Sequence, residues 1–511
     1  MRTERLPQKI AKNTIFSFIG TFWMMGISVL LTPYIIYKIG LEKFGVWAIS
    51  SSIVGFLGLF NLGTSNTYTK YIAEHCATPD VIKINQTVNT GLVINILLGL
   101  CMSLVLFFVT PIINFFKFNP AYFNEVYFVV FVSIVIFIVV FISGVFNSII
   151  EGMQRIDITN KINIFISVLN AVGVIIVLQY GWGLKGLVVN SGIIIVIAII
   201  IRIICSRYLF PSLKLSIGFV KLDSFKKIIS YGSKIQVSRI ANFVNGQVDK
   251  IFLGHFLSVL VVGYYDIGAK LTRLARQILL AMYPAIMPAA SELNNTKDQK
   301  RLHLLYMRGS KYLSIITIPL LLFVFTTAPI IISSWMGKGY NASVTVIRFL
   351  IVGFCVNALT GIGTSIARGI GKPEIETRYT TLVAFSNITL SLILIIKIGL
   401  IGALIGTSVS LVIFSVYFML IFHKKIIKES YVEFAKKIYY KPFFISLILC
   451  IVVGALNLAL ERFFNLQNRL DYLATLLLDM VIFGPLCLFF LFKVKYLEIN
   501  EVKLLFKSIL T

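Results

Sequence analysis

The sequence predicts an all-α polytopic membrane protein: about 14 transmembrane helices, in two six-helix bundles related by a pseudo-two-fold along the membrane normal, plus two extra C-terminal helices. Three observations carry this. First, 58% of the 511 residues are hydrophobic and only 13% are charged, against about 25% charged in a soluble protein. Second, about fourteen apolar runs each reach the roughly 20 residues that a bilayer core demands. Third, several short motifs recur about half a chain apart.

The runs lie near 13–37, 44–66, 88–112, 122–150, 160–180, 184–206, 229–254, 260–289, 311–335, 342–367, 377–397, 400–422, 442–460 and 472–492. Met1 to Lys12 is polar and basic, and the first run is too long for the core of a signal peptide, so no cleavable leader is expected. Prolines 284 and 288 are expected to end the eighth span, and Pro319 and Pro329 to interrupt the ninth. Basic residues crowd alternate loops: Arg2, Arg5, Lys9 and Lys12; Arg207, Lys214, Lys221, Lys226 and Lys227; Lys297, Lys300 and Arg301; Lys424, Lys425, Lys428, Lys436 and Lys437. The positive-inside rule then predicts both termini in the cytoplasm. Topology accounts for most of the +26 net charge, and no nucleic-acid partner is called for.

Glu151-Gly152-Met153-Gln154-Arg155-Ile156-Asp157-Ile158 is answered later in the chain by Arg368-Gly369-Ile370-Gly371-Lys372-Pro373-Glu374-Ile375. Gly183-Leu184-Lys185-Gly186 is answered by Gly399-Leu400-Ile401-Gly402, and Phe44-Gly45-Val46-Trp47 by Val262-Gly263-Tyr264-Tyr265. Aligned on Glu151 with Arg368, Gly183 with Gly399 and Gly45 with Gly263, the three pairs share nearly one offset. Six spans separate each motif from its copy. That even number keeps both copies on one membrane face, a parallel duplication. The predicted organisation is a bundle at 1–206, a cytoplasmic linker at 207–228 with the pattern of an interfacial helix, a second bundle at 229–424, and two added spans with a tail at 425–511. In the motifs, Gly152 and Gly369 are expected to permit tight turns, with Arg155 and Lys372 at the level of lipid phosphates.

Charge inside an apolar span is the strongest functional signal. In the eighth span Asp266, Lys270, Arg273 and Gln277 fall within about 60° of one another at helical periodicity, and Arg276 widens the stripe to about 120°. Each such cation costs roughly 3 kcal/mol at mid-membrane, so the stripe is expected to line water or hold an anion. The seventh span carries Gln236, Arg239, Gly246 and Lys250 on one stripe, with Asn242 and Asp249 at its edge. Together these residues suit a phosphate or pyrophosphate, which several cations hold better than one. The competing reading has the cations snorkelling to a membrane face, with Asp249 and Asp266 in packing ion pairs. Arg348 is read as snorkelling and Asp479 as structural.

Other chemistry lacks support. Six cysteines form no CxxC pair and four histidines stand at unrelated positions, so neither a metal site nor a disulfide framework is expected. No GxxxxGK[ST] or HExxH occurs, and every loop is too short for a catalytic domain. The protein is therefore expected not to be an enzyme and to need no cofactor.

The Gly-x-Gln-Arg and Gly-x-Gly-Lys-Pro turns after spans four and ten, Phe-Gly-Val-Trp opening span two, and Val-Asp249-Lys-Ile-Phe-Leu-Gly followed by Val-Gly-Tyr-Tyr recur here together. Over roughly residues 9–425 the chain resembles the polysaccharide transporter family of the multidrug/oligosaccharidyl-lipid/polysaccharide (MOP) exporter superfamily. Within it the chain looks most like O-antigen or capsular oligosaccharide-lipid flippases. The resemblance implies translocation of an undecaprenyl-pyrophosphate-linked oligosaccharide across a bacterial cytoplasmic membrane by alternating access, from a cavity lined by spans one, two, seven and eight. It implies pyrophosphate contacts at Arg239, Lys250, Lys270, Arg273 and Arg276, and sugar contacts at Asn61, Asn66 and Asn242. Trp47, Tyr264 and Tyr265 are candidates for stacking on sugars or anchoring at the interface. Asp249 and Asp266 are candidates for coupling to a proton or sodium gradient. Implied partners are the lipid-linked oligosaccharide, membrane lipids, and a polysaccharide polymerase with its assembly proteins. The rival readings are a lipid II flippase, a drug or cation antiporter, a membrane glycosyltransferase or polymerase, and a non-transporting scaffold.

Overall fold

The structure is a computed structural model. It describes residues 6–498 apart from positions 62, 79, 281–282, 284–285 and 465; the side chains of 6–19, 231–235, 237–239, 241–242, 244–245 and 464 lie outside the described set. The described residues are overwhelmingly helical and contain no strand. The chain forms two compact units, Met1–Gly263 and Tyr264–Thr511.

The first unit contains α1 (Leu6–Ile39), α2 (Leu41–Leu57), α3 (Thr64–Ala77), α4 (Val81–Ser103), α5 (Val109–Phe115), α6 (Phe123–Gly152), α7 (Ile156–Gln179), α8 (Gly183–Leu209), α9 (Leu222–Phe252) and the start of α10 (Val259–Leu280). Helix α6 is the hub, packing on α2, α3, α4 and α8, while α1 packs on α7. Tyr68, Ile72, Val88, Ile149 and Phe210 belong to one buried cluster. Within it the Tyr68 hydroxyl lies 2.8 Å from Asn95 Oδ1, and Asn95 Nδ2 donates to the Phe141 carbonyl at 2.9 Å. These two buried polar groups are thus paired, as their desolvation cost demands.

The second unit contains the rest of α10, then α11 (Ile286–Asn295), α12 (Gln299–Trp335), α13 (Asn341–Leu359), α14 (Gly361–Gly369), α15 (Glu374–Phe422), α16 (Tyr431–Ile438), α17 (Tyr440–Phe464) and α18 (Arg469–Lys493). Helix α12 packs on α13 and also on α17 and α18, the two added spans. Phe323 and Ile330 of α12 bury with Leu449, Cys450 and Val453 of α17 and with Leu476 and Phe483 of α18.

Among the described residues, eleven helical stretches are long and apolar enough to cross a membrane by length and composition. One of them, Glu374–Ile427, holds two spans, because Ile398 and Gly399 leave helical φ/ψ. Helices α9 and α10, at 31 and 22 residues, are long enough but too polar to count among the eleven. Together these make about fourteen spans.

Several local expectations change. The second span stops at Asn61, and α3 follows as a separate helix. Residues 210–221 hold only a single 3-10 turn, Ile217–Phe219, and Leu222 already begins α9. Within the expected interfacial stretch 207–228, residues 222–228 are helical and run on into α9. Helix α12 runs unbroken through Pro319 and Pro329. Pro288 sits in the first turn of α11, where a missing N–H costs nothing; residue 284 lies outside the described residues.

The repeat is visible in the backbone. Gln154 (φ 59°) and Gly371 (φ 75°), at matching places in the two copies of the motif, are both left-handed, as are Gly183 (φ 56°) and Gly399 (φ 61°). The turn follows directly after Gly152 and Gly369, and the left-handed residue within it is Gln154 or Gly371. Gly152 and Gly369 each let a short helix approach: a Cβ at Gly152 would lie 2.7 Å from Ile72 of α3, and one at Gly369 2.6 Å from the Met287 carbonyl and 2.8 Å from Ala290 of α11. Ile72 and Ala290 are themselves one repeat apart in sequence. A reciprocal pair occurs within the first unit. A Cβ at Gly45 would strike the Val259 carbonyl, and one at Gly263 would lie 2.8 Å from the carbonyl of Leu41. The glycines of this exchange, and equally Leu41 and Val259, stand one repeat apart.

Candidate functional site

In the first unit the candidates lie on α2, α3 and α9. Gly55 gives α9 close access to α2: a Cβ there would meet the Phe243 ring at 2.7 Å, and Phe243 packs edge-on to Phe56 with centroids 4.7 Å apart. Ser52 of α2 donates to Gln247 Oε1 at 2.9 Å, and buried Gln236 donates through Nε2 to the Leu59 carbonyl. Gln236 Oε1 is buried with no hydrogen-bond partner among the described residues. Gly246 stands on α9 with nothing among the described residues within 4 Å of where a Cβ would be.

Asp249 and Lys250, next to one another near the end of α9, are 2% and 5% exposed, and both engage partners. Lys250 is therefore a buried, engaged charge. Asn61 Oδ1 accepts from the Thr64 hydroxyl at 2.6 Å, at the entrance to α3. Asn66 is exposed on α3, beyond the second span. The side chains of Arg239 and Asn242 lie outside the described residues. Trp47 is half-buried on α2.

The segment joining α9 to α10 is tethered. Lys117 Nζ donates to the Phe256 carbonyl at 2.7 Å, the Lys117 amide donates to Gly254, and the His255 ring stacks on Phe115 at 4.0 Å. The start of α10 is thereby held against the loop after α5.

In the second unit the candidates lie on α10. One face packs on α13: a Cβ at Gly268 would lie 2.7 Å from the Ser343 carbonyl, Ser343 donates to the Tyr264 carbonyl at 2.8 Å, and Ala275 and Leu279 bury with Ile351, Cys355 and Ala358. This seats the helix and aims the charged stripe away from α13. On that stripe Arg273 Nη2 donates to Asp266 Oδ1 at 3.1 Å. The Asp266 side chain is 10% exposed and that of Arg273 37%. Lys270, between them, is partly exposed and engaged.

Arg276 leaves the stripe. Its guanidinium stands 5.3 Å from the Phe354 ring centroid, and its Nε is buried with no hydrogen-bond partner among the described residues. A cation over an aromatic face is partly compensated. Tyr265 is buried, and Tyr264 packs edge-on to Tyr340 at 6.0 Å.

The structure therefore brings Asp266, Lys270 and Arg273 together on one face of α10, with Arg276 beside Phe354. Sequence reading passed over Arg202 of α8, whose Nη2 donates to Asn163 of α7 at 3.0 Å. Two intramembrane polar residues on adjacent spans were the available signal. Arg348 donates to the Phe325 carbonyl at 3.3 Å and lies 5.7 Å from its ring. Asp479 is fully buried and accepts from Asn457 at 2.9 Å. Among the described residues no group of three or more His, Cys, Asp or Glu is placed to hold a metal ion.

Comparison with known proteins agrees with this architecture. A family model described as polysaccharide biosynthesis protein matches residues 10–294, and the MatE model matches residues 235–393. A Shigella flexneri protein named "Putative O-antigen transporter" is 24% identical over 409 residues, covering 79% of this chain and 95% of its own. The "Probable low-salt glycan biosynthesis flippase Agl15" of Haloferax volcanii is 19% identical over 409 residues, covering 78% of this chain and 81% of its own. Among solved structures, the lipid II flippase MurJ in an inward closed conformation aligns with a TM-score of 0.73 at 16% identity, over 95% of this chain and 99% of that one. An inward-facing multidrug resistance MATE transporter of the MOP superfamily aligns at 0.69 and 15% identity, over 80% of this chain and 95% of that one.

Proposed function

Because the chain belongs to the polysaccharide biosynthesis protein family, within the MOP exporter superfamily, we propose that it is a non-enzymatic flippase for a lipid-linked oligosaccharide. The cargo is a polyprenyl-pyrophosphate carrying an O-antigen or capsule repeat unit, moved from the inner to the outer leaflet of a bacterial cytoplasmic membrane. Relatives named as an O-antigen transporter and a glycan flippase support this reading.

The observation that carries it is the α10 stripe. Asp266, Lys270 and Arg273 hold charge on one face of a membrane helix, and such groups in membrane segments mark substrate or ion pathways. Arg273 uses one of its guanidinium donors on Asp266 and has others to offer a pyrophosphate oxygen. Arg276 offers a buried Nε in the same helix. Binding the headgroup there while the polyprenyl tail stays in lipid separates the polar and apolar parts of the cargo. Alternating access then exposes the headgroup to the far side. Arg239 and Lys250 of α9 are assigned to the same headgroup, Asn61, Asn66 and Asn242 to the glycan, and Asp249 and Asp266 to coupling with a proton or sodium gradient. A cationic stripe disfavours a cation antiporter, which calls for an acidic cavity.

The test is leaflet translocation in proteoliposomes. Purified protein is reconstituted with a fluorescent polyprenyl-pyrophosphate oligosaccharide, and a membrane-impermeant quencher reads exposure. Protein-dependent exposure, abolished in Arg273→Ala, is the expected result. Efflux of small organic cations without lipid exposure would place the chain with drug antiporters, and faster flipping of lipid II than of any oligosaccharide lipid would change the cargo.

A further inference from the structure

The second unit contains a cavity of about 240 Å³ lined by residues from two distant stretches: Lys372 in the turn before α15 with Glu374 and Arg378 in its first turns, and Tyr417 near its far end with Lys425 in the turn that follows. The kink at Ile398–Gly399 folds α15 back, so residues far apart in sequence share one end of the unit. Phe418 and Ile421 complete an apolar wall.

The charge balance is uneven. Arg368 is bound bidentately by Glu376, at 2.6 and 2.9 Å, so that carboxylate is already committed to a cation outside the cavity. Lys372, Arg378 and Lys425 are exposed, and among the described residues Glu374 is the single acidic one lining the cavity with them. Three cations against one carboxylate give the cavity a net charge of about +2 at neutral pH. Their positions are held by the fold. The Lys372 amide donates to the Ala367 carbonyl at 2.8 Å and follows the left-handed Gly371, and Lys425 belongs to the π-helical turn His423–Ile427.

We infer that Lys372, Arg378 and Lys425 form a phosphate-binding pocket that seats the headgroup of an anionic membrane lipid. The cations receive the phosphate, Tyr417 stands at the polar–apolar boundary, and the wall of Phe418 and Ile421 faces the glycerol and first methylenes. Convergent cations hold a phosphate better than scattered ones. The pocket lies at the end of the unit that the basic-residue asymmetry predicts to be cytoplasmic. It stands apart from the α10 stripe and does not rest on the flippase reading.

The test is lipid retention by the purified full chain in native mass spectrometry, with phosphatidylglycerol and phosphatidylcholine supplied in equal amounts. Preferential retention of phosphatidylglycerol is expected. Lys372→Gln/Arg378→Gln/Lys425→Gln should lower it about tenfold, the scale of one decade in binding constant. Lys424→Gln/Lys428→Gln/Lys437→Gln removes the same charge from neighbouring surface positions and should leave it unchanged. Equal loss in both variants, or no loss in the pocket variant, overturns the proposal. Displacement of the lipid by millimolar inorganic phosphate would make this a site for soluble anions, and one-for-one displacement by a polyprenyl pyrophosphate would assign it to cargo; each overturns it. Single variants Lys372→Gln and Lys425→Gln, both at exposed side chains, give the same reading should the triple variant fail to fold.

Discussion

Arg273 reaches two turns back along α10 to place Nη2 3.1 Å from Oδ1 of Asp266. Seven residues span about 10.5 Å of helix axis, a distance that a long side chain leaning toward the helix N-terminus can close. The carboxylate is nearly buried and the guanidinium partly exposed. Asp266 thus holds the arginine against the helix while leaving donors outward.

Releasing that hold should be measurable. Asp266→Asn keeps the volume and frees Arg273. It should strengthen binding of a pyrophosphate-bearing lipid by up to about fivefold, the scale of a partly exposed ion pair. Arg273→Ala should abolish that binding while insertion and melting temperature hold. Titration with the fluorescent lipid in nanodiscs reads both, and unchanged binding in both variants would remove the anion assignment from this helix.

The two motif glycines should respond alike. Valine at Gly152 would press on Ile72, and valine at Gly369 on the Met287 carbonyl and Ala290. Overpacking of this kind costs about 1–3 kcal/mol, seen as a lowered melting temperature in detergent. Gly484 in α18 has nothing within 4 Å of a Cβ, so Gly484→Ala should leave stability unchanged or slightly raised.

The linker after α8 should loosen on changing two asparagines. Asn85 of α4 donates to the Ser212 carbonyl at 3.0 Å and accepts from the Lys214 amide at 2.8 Å. One turn on, Asn89 donates to the Lys214 carbonyl at 2.8 Å and accepts from the Ser216 amide at 2.9 Å. The pair imitates a neighbouring strand, each amide meeting one carbonyl and one N–H. Asn85→Leu/Asn89→Leu removes four hydrogen bonds of about 1 kcal/mol each. Trypsin should then cut at Lys214 and Lys221 several-fold faster; an unaltered rate would mean the strap does not hold the linker.

The added spans carry a buried polar pair. Asn457→Leu strips Asp479 of its hydrogen-bond donor and should lower stability by about 1–3 kcal/mol. Asn457→Leu/Asp479→Leu removes both polar groups and should recover most of that loss. Thermal unfolding of the single and double variants checks it, and a double variant no better than the single would show that the pair does not act as a unit.

Much of the architecture was legible because a bilayer simplifies the problem. Apolar runs of sufficient length have few alternatives to a spanning helix, and the near-equal motif offsets carried the duplication. The gaps fell where composition is silent. Nothing in Thr64 to Ala77 distinguishes a separate helix from a loop, and nothing in Gly152 shows that it is a packing glycine as well as one beside a turn. That depends on Ile72, which lies far back along the chain.

The candidate site divides in the same way. Placing Asp266, Lys270 and Arg273 on one face needs only the helical period, so the sequence by itself determined that stripe. It also determined the approximate number of spans, the doubled motif and the polar character of α9 and α10. Only the tertiary structure decided that Arg273 is tied to Asp266, that Arg276 turns onto Phe354, that Lys250 is buried, and that Lys372, Arg378 and Lys425 share a cavity. Periodicity is a local property of one helix and can be read along the chain. Burial, pairing and convergence depend on which helices meet, and that is set by side-chain packing between residues far apart in sequence.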